Sequence, residues 1–257
     1  MSDFKNRLSE FYNTFNEDKR LAHRHGIVEY ETTMKYLHEY LLPGDRIIDI
    51  GTGTGKYAIA LHEEGYDVTA VEYLRTNIGK FKNRCKDIRI VEASAVDLHM
   101  FKDDEFDVAI MFGPLYHLYA KEDQIKAMNE ARRIAKKYVF VTYIMNEYAV
   151  IEYAFKDGNY LNVKDKLDET FRIDDPDALF FQTRIEDIDE LNKICGLTSI
   201  RRFASDGPSD YIRPYINKMD DETFKAYIAF HQQTCERKEL LGASSHVVDI
   251  LTKNRSD

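Results

Sequence analysis

A glycine-rich turn after a short β-branched segment is the feature that most constrains this chain. The segment Arg46–Ile50 has the composition of a strand, Gly51, Gly53 and Gly55 follow at alternate positions, and residues 57–64 have helical spacing. Glycines between a strand and a helix permit a tight turn, close approach of a ligand to the backbone, and close packing of the two elements. The turn therefore predicts an α/β fold with a ligand at this connection.

Strand and helix patterns alternate around the turn, from about residue 30 to residue 145. Such alternation indicates βαβ units and a parallel sheet, and the nearly continuous apolar run at 139–145 is typical of a strand covered on both faces. We expect an α/β fold: a doubly wound, mostly parallel seven-stranded sheet with helices on both faces. The predicted strands are residues 46–50, 67–72, 88–92, 107–112, 138–145, 197–203 and 246–252, and the main predicted helices are 4–17, 28–42, 57–64, 74–85, 121–135, 186–195 and 221–241.

The rest of the chain suggests additions to this sheet within a single domain, residues 1–257. The first residues place Phe4, Leu8 and Phe11 at helical spacing, which predicts an amphipathic helix. The chain has 17 Tyr and 15 Phe, and many of them fall in two irregular stretches that leave one edge of the sheet. The expected parts are an N-terminal helical lid at 1–30, a cofactor-binding core at 31–145, cap insertions at 146–182 and 204–244, and a closing strand at 245–253.

Two acidic residues beside the turn indicate the kind of ligand. Glu72 ends the second strand, 21 positions after Gly51, and Asp49 lies just before the glycines. A carboxylate at the end of the second strand is placed to accept hydrogen bonds from the hydroxyls of a ribose. The G-x-G-x-G spacing differs from the G-x-G-x-x-G of dinucleotide-binding turns, and there is no G-x-x-x-x-G-K-[ST] loop. The residues predict a nucleoside-containing cofactor.

The segment from Asp49 to Gly55, with the form D-I-G-x-G-x-G, resembles the first motif of the class I S-adenosylmethionine-dependent methyltransferases. The resemblance continues at Glu72, which matches the second motif, at residues 92–98, which match the third, and at residues 105–118, which match the fourth. It implies that S-adenosylmethionine is the cofactor and that the chain is a methyltransferase with the Rossmann-like fold of that family.

The resemblance covers about residues 40–145 together with the closing strands. Ser94 stands where many members have an acid, which leaves its hydroxyl or the Ala95 backbone to contact adenine. The cofactor-binding residues that the resemblance implies are Asp49, Gly51, Thr52, Gly53, Gly55, Glu72, Tyr73, Ser94, Ala95, Phe112 and Gly113.

The N-terminal segment resembles a lid that precedes the fold in some members and closes over the cofactor. Tyr12 and Arg24 are the residues of this segment that we expect to contact the cofactor. The alternative is a solvated amphipathic helix without a binding role. The His23 and His25 pair is too isolated to specify a metal site, and no metal is expected.

The candidate catalytic residues are His117 and Tyr116, at the end of the fourth strand. Methyl transfer from a sulfonium needs in-line approach of a nucleophile, so positioning and exclusion of water can supply most of the catalysis. A base is needed only if the acceptor carries a proton that must leave. His117 is the best-placed base, against the alternative of a structural hydrogen-bonding residue, and Tyr116 is either a wall of the acceptor pocket or ordinary packing.

The composition of the chain limits the kinds of partner that we expect it to bind. The net charge of −9 argues against a duplex nucleic-acid face, because Lys and Arg supply most non-specific affinity for phosphates. The sequence shows neither a secretory signal nor an apolar run long enough to span a bilayer, so we expect a cytoplasmic protein with no membrane contact. The expected function is methylation of a small-molecule acceptor. The alternatives are methylation of RNA or protein, and a module that binds S-adenosylmethionine without turnover.

Overall fold

The strands form one seven-stranded sheet in the order β3-β2-β1-β4-β5-β7-β6. The computed structural model describes residues 2–15, 17–156 and 158–253. Strands β1 to β5 run parallel to one another, whereas β7 lies antiparallel between β5 and β6. The predicted mostly parallel sheet is therefore confirmed. The strands are β1 Arg46–Ile50, β2 Asp67–Glu72, β3 Arg89–Glu92, β4 Phe106–Met111, β5 Ala135–Ile144, β6 Leu197–Ala204 and β7 His246–Lys253.

Helices connect the strands and extend the chain beyond the sheet. The α-helices are α1 Ser2–Thr14, α2 Glu17–Ala22, α3 Arg24–Tyr40, α4 Lys56–Glu63, α5 Arg75–Arg84, α6 Lys121–Ile134, α7 Asn146–Val150, α8 Tyr160–Val163, α9 Ile185–Ile194, α10 Arg213–Ile216, α11 Asp221–Thr234 and α12 Lys238–Leu241. A π-helical segment spans Ile151–Lys156, and 3-10 turns span Pro114–His117, Lys164–Lys166 and Gly207–Ser209.

The predicted helix at 221–241 is two helices in the structure, α11 and α12. The carbonyl of Cys235, just after α11, accepts a hydrogen bond from the backbone N–H of Ala204 in β6 at 2.8 Å. This bond anchors the end of α11 to the sheet, and the chain turns before α12 begins. The break thus comes with a tertiary contact that helical periodicity does not reveal.

The core lies in the centre of the sheet. Ile47, Ile48, Val108 and Phe140, from β1, β4 and β5, are fully buried. The nearly continuous apolar run of β5 is thus covered on both faces, as its sequence predicted. Burial of each large apolar side chain contributes about 1.5–3 kcal/mol relative to leaving it exposed. The rigid centre of the sheet fixes the positions of the strand ends.

One edge of the sheet collects residues from most of the strands. The parallel strands all end there, with Ile50 of β1 and Glu72 of β2 leading into loops. Because β7 runs in the opposite direction, its first residue, His246, pairs with Ile144 at the end of β5. The start of β7 therefore lies at the same edge as the ends of the parallel strands.

The aromatic residues of the first insertion, 146–182, face two directions. Tyr148 is buried, whereas Phe155 and Phe171 are 51% and 46% exposed. The rings of Phe155 and Tyr160 stack on each other at 5.5 Å. Part of the aromatic surplus therefore lies on the outer surface, and only part of it is available to cover the edge.

In the described residues, no helix combines the length and apolar composition that a bilayer crossing requires.

A glycine lets α2 and α3 cross closely at the N-terminal side of the fold. A Cβ atom added to Gly26 would lie 2.3 Å from the backbone oxygen of Arg20 and 2.8 Å from the Cα of Leu21. Both are backbone atoms, so an added methyl group forces the two helices apart. The crossing holds Arg20 beside Glu29 of α3, a contact at 2.6 Å.

We predict that Gly26→Ala lowers the free energy of unfolding by about 1–3 kcal/mol, as overpacking does elsewhere. The matched control is Gly79→Ala in α5, where an added Cβ meets no atom within 4 Å. That change should be neutral or stabilise by up to about 1 kcal/mol, because alanine favours a helix over glycine. Chemical denaturation of both variants measures the difference, and equal stabilities would contradict the close crossing.

Candidate active site

A cavity of about 1430 Å³ opens at the edge where the parallel strands end. Its walls come from the glycine turn, the ends of β2 and β4, the N-terminal helix α1 and both insertions. The structure thus places most of the predicted site residues around one cavity. The predicted residues that line it are Tyr12, Asp49, Gly51, Thr52, Gly53, Glu72, Tyr73, Ser94, Ala95, Phe112, Gly113, Tyr116 and His117.

The buried carboxylate of Glu72 is tied to the backbone of the glycine turn. Glu72 is 5% exposed, one of its oxygens accepts the N–H of Gly53 at 2.8 Å, and the other accepts the N–H of Leu74 at 2.8 Å. Burial raises the pKa of Glu72, and these backbone hydrogen bonds oppose the shift. The carboxylate is therefore fixed in position relative to the turn before any ligand arrives.

Gly53 leaves room for a ligand at the turn. Its φ of +59° lies in the left-handed region that favours glycine, and an added Cβ would meet no described atom within 4 Å. Gly53 lines the cavity, so the backbone here is open to close approach by a ligand. Gly55 differs: it does not line the cavity, and its Cβ would lie 2.5 Å from the ring of Phe81. The structure thus gives Gly55 a packing role between the turn and α5.

Asp49, at the end of β1, forms a hydrogen bond within the glycine turn. It is 3% exposed, and one oxygen accepts a hydrogen bond from the hydroxyl of Thr52 at 2.7 Å. Burial raises the pKa of Asp49 to about 7, with a smaller contribution from the nearby charge of Glu72 and opposition from the Thr52 hydrogen bond. The carboxyl thus lies in a site where a nearby positive charge would favour its ionised form.

Arg24 lies away from the cavity, contrary to its predicted contact with the cofactor. Its guanidinium pairs with Asp221 at 2.7 Å and lies 4.8 Å from the centre of the Phe224 ring. Both partners belong to α11, which packs on the side of α3 that carries Arg24. Arg20, four residues earlier and in α2, does line the cavity.

His117 is held by hydrogen bonds on both ring nitrogens. Nδ1 bonds to the carbonyl oxygen of Leu179 at 2.8 Å, and because a carbonyl only accepts, Nδ1 carries the proton. Burial lowers the pKa of His117 to about 4, so the ring is neutral near pH 7 and Nε2 accepts the Tyr12 hydroxyl at 2.9 Å. His117 thus links the N-terminal helix to the end of β4. Tyr116 donates its hydroxyl to the carbonyl of Phe112 at 2.9 Å and forms part of the wall.

A charged network in the cavity wall was not predicted from the sequence. The guanidinium of Arg20 contacts both carboxylate oxygens of Glu29, at 2.6 and 3.2 Å. His246 bonds through Nδ1 to Asp206 at 2.8 Å and lies 3.7 Å from Glu29. The available signal was Asp206 just after β6 and His246 at the start of β7, two positions that an antiparallel pair brings together.

This network is balanced by its own side chains. Glu29, Asp206 and His246 offer ligand atoms within 4.8 Å of one another, which is a spacing seen around metal ions. However, Arg20 already occupies both oxygens of Glu29, and with His246 protonated the two cations offset the two carboxylates. The arrangement is therefore explained as paired buried charges, which is how proteins keep such groups in their interiors.

Residues 47–138 match the family model described as a methyltransferase domain. A glycine/sarcosine N-methyltransferase of Parasynechococcus marenigrum is 30% identical over 95 residues, which are 35% of this chain and 34% of that protein. The chain thus matches about a third of the length of that relative. Both matches support the resemblance of residues 47–138 to the class I S-adenosylmethionine-dependent methyltransferases.

Solved methyltransferases share the fold over most of the chain. A structure of an S-adenosylmethionine-dependent methyltransferase from Methanosarcina mazei has a TM-score of 0.56 and 17% identity, and covers 85% of this chain and 96% of that one. Magnesium protoporphyrin IX methyltransferase from Synechocystis, with bound S-adenosylhomocysteine, has a TM-score of 0.60 and 12% identity, and covers 97% and 99%. At these identities the similarity concerns the fold.

S-adenosylmethionine is the cofactor of this methyltransferase family, and the turn in this chain fits it. The backbone at Gly53 is open towards the cavity, and the Glu72 carboxylate at the end of β2 is in the position that accepts ribose hydroxyls. Ser94 and Ala95 also line the cavity. The Ser94 hydroxyl and the Ala95 backbone of the third motif are therefore accessible to an adenine ring.

The first prediction for this site concerns Glu72. We expect Glu72→Ala to weaken S-adenosylhomocysteine binding at least about tenfold, because it removes the ribose acceptor and frees the Gly53 N–H. The matched control is Glu92→Ala: Glu92 is the partner of Glu72 in the β2–β3 register, but it pairs with Arg75 and does not line the cavity. Calorimetric titration compares them, and equal affinities would contradict the role given to Glu72.

The second prediction concerns the hydroxyl that joins α1 to the site. Under the lid hypothesis, Tyr12→Phe should speed S-adenosylhomocysteine release by about 2- to 10-fold, since a net hydrogen bond contributes about 0.5–1.5 kcal/mol. Tyr160→Phe, in α8 and outside the cavity wall, is the control for loss of a tyrosine hydroxyl. Stopped-flow release rates measure the effect, and a Tyr12→Phe rate equal to that of the parent chain argues against a lid.

Proposed function

We propose that this chain transfers the methyl group of S-adenosylmethionine to a small-molecule acceptor bound in the same cavity. The observation that carries the proposal is the size and lining of that cavity. Ligand pockets usually have volumes of about 300–1000 Å³, and this one has about 1430 Å³. Its wall continues past the cofactor motifs to Tyr148, Asp210 and Arg213 of the two insertions. This volume supports a second ligand beside the cofactor.

The chemistry of the proposal depends on positioning. Bound S-adenosylmethionine supplies a methyl group on a cationic sulfur, which is open to in-line attack. The residues of this chain hold the two ligands together and exclude water, and both effects lower the barrier of a two-substrate reaction. Phe11 of α1 and Phe180 of the first insertion contact each other with ring centres 5.2 Å apart, and both line the cavity. This contact supports a lid and a cap that meet over the ligands.

We assign His117 a structural part in this reaction. A base must be able to take a proton near neutral pH, but burial lowers the pKa of His117 to about 4 and its Nε2 already accepts the Tyr12 hydroxyl. Proton removal by His117 would require both the loss of that contact and an unfavourable protonation. The geometry favours His117 as the attachment point of α1.

The activities for which two similar proteins are named support a small-molecule acceptor. One is a glycine/sarcosine N-methyltransferase and the other a magnesium protoporphyrin IX methyltransferase. Methylation of RNA is disfavoured by the net charge of −9. A protein that only binds the cofactor is disfavoured by the space beyond the cofactor motifs.

We predict that the full chain, incubated with S-adenosylmethionine and a panel of small amines, carboxylic acids, phenols and thiols, forms S-adenosylhomocysteine above the hydrolysis background with at least one compound. Glu72→Ala should reduce that rate at subsaturating cofactor, and Glu92→Ala should leave it unchanged. Mass spectrometry identifies the methylated product. Tight S-adenosylhomocysteine binding with no product from any compound would instead support a binding module.

A further inference from the structure

His246 presents one edge of its ring to the protein and the other to the cavity. Nδ1 bonds to one oxygen of Asp206 at 2.8 Å, and the backbone N–H of His246 bonds to the other oxygen at 3.0 Å. Asp206 is 2% exposed, and the ring is therefore held in a fixed orientation. Within the part of the chain that the structure describes, Nε2 has no hydrogen-bond partner, and His246 lines the cavity.

The charged groups around His246 come from two helices and one loop. Glu29 of α3 lies 3.7 Å from Nδ1, Asp206 follows β6, and Arg20 of α2 pairs with Glu29. Burial disfavours the charged imidazolium, but the carboxylates of Glu29 and Asp206 outweigh burial and raise the pKa of His246 to about 9. Near pH 7 the ring is thus a cation with an N–H at Nε2. Arg20 directs two of its N–H groups to Glu29, whereas the Nε2 N–H of His246 has no acceptor among the described residues.

Aromatic rings line the cavity next to His246. The ring of Tyr116, which follows β4 in the fourth motif, lies 6.4 Å from the ring of His246. Phe180 lies 5.9 Å from Tyr116 on the same wall. A cationic N–H donor next to aromatic walls is suited to a ligand that has an anionic oxygen on an apolar body. Hydrogen bonds between charged partners are about twice as strong as neutral ones.

We propose that the methyl acceptor is a small carboxylic acid whose carboxylate accepts a hydrogen bond from Nε2 of His246. This inference rests on the proposed function. The acceptor's apolar part then lies against Tyr116 and Phe180. His246 acts here as a specificity-determining residue that orients the acceptor, and it takes no proton from it. A cationic group at the same place would meet the imidazolium charge, and a neutral amide would lose the charge-assisted part of the bond.

The test uses the full chain saturated with S-adenosylhomocysteine and two probe pairs, benzoate with benzamide and phenylacetate with phenylacetamide. Each pair has nearly the same shape and differs in charge. We expect at least one carboxylate to bind about tenfold more tightly than its amide at pH 7. We also expect it to shift the Nε2 resonance of ¹⁵N-labelled His246. Calorimetry and nuclear magnetic resonance give the two readouts.

Two variants separate recognition by His246 from general damage. His246→Gln keeps a neutral donor and should abolish the preference for the carboxylate, while S-adenosylhomocysteine still binds. His25→Gln removes another imidazole of the cavity wall, one bonded to Asn217 rather than to carboxylates, and it should keep the preference. Thermal unfolding of both variants verifies that they fold.

The pH dependence gives an independent arm. The imidazolium is present below its pKa and is lost above it, so the preference for the carboxylate should disappear as the pH rises through about 9. The same titration of His246→Gln should be flat.

Equal affinities within both pairs, or a preference that survives in His246→Gln, would overturn the inference and leave the proposed function standing. A His246→Gln variant that loses turnover but keeps the carboxylate preference would also overturn it. Failure of the parent chain to bind S-adenosylhomocysteine would overturn the proposed function, and this inference with it.

Discussion

The direction of the strands is the constraint on which the site depends. Six of the seven strands run in the same direction and end at one edge of the sheet, and the reversed strand β7 starts there, with His246 opposite Ile144. The fully buried side chains of β1, β4 and β5 keep these strands in register. Groups far apart in sequence, from the glycine turn near residue 51 to His246, are therefore held around one cavity by a rigid sheet. The ends of the strands fix where these residues lie, and their side chains determine what the cavity can bind.

Two kinds of wall meet around the cavity. On the cofactor side, Glu72 is bonded to the backbone N–H of Gly53 and of Leu74, so the site is preorganised by backbone contacts. On the other side, α1 and the insertions contribute aromatic rings, and the Tyr12–His117 hydrogen bond joins α1 to the end of β4. The first wall is continuous with the core. The second is made of helices and loops outside the sheet.

Local patterns in the sequence were sufficient to predict the fold and the residues that line the cavity around the glycine turn. The glycine spacing and Glu72 lie within about one βαβ unit, so their geometry follows from short-range rules. The predicted bounds of β1 and β2 agree with the structure because β-branched runs and turn residues delimit them. The closing strands were also predicted, the first of them from the helix stop at Gly196 that precedes it.

The remaining features depend on long-range contacts. Arg24 was predicted to contact the cofactor, but α11 packs against its side of α3 and pairs it with Asp221. The Asp206–His246 contact arises because β6 and β7 are antiparallel neighbours, and neither residue stands in a recognisable motif. The neutral state of His117 results from burial by segments distant in sequence, including the Leu179 loop. Such contacts become visible only when the chain is folded.

The network of Arg20, Glu29, Asp206 and His246 has a consequence for how this sequence can diverge. The four side chains belong to four separate segments, and their charges cancel only as a set. Replacement of one partner leaves a buried charge without compensation, which typically costs several kcal/mol. Single substitutions at these positions should therefore be eliminated by selection, while joint replacements survive. Among related sequences the four positions should vary together, and any lineage that has lost one of them should also have remodelled the others.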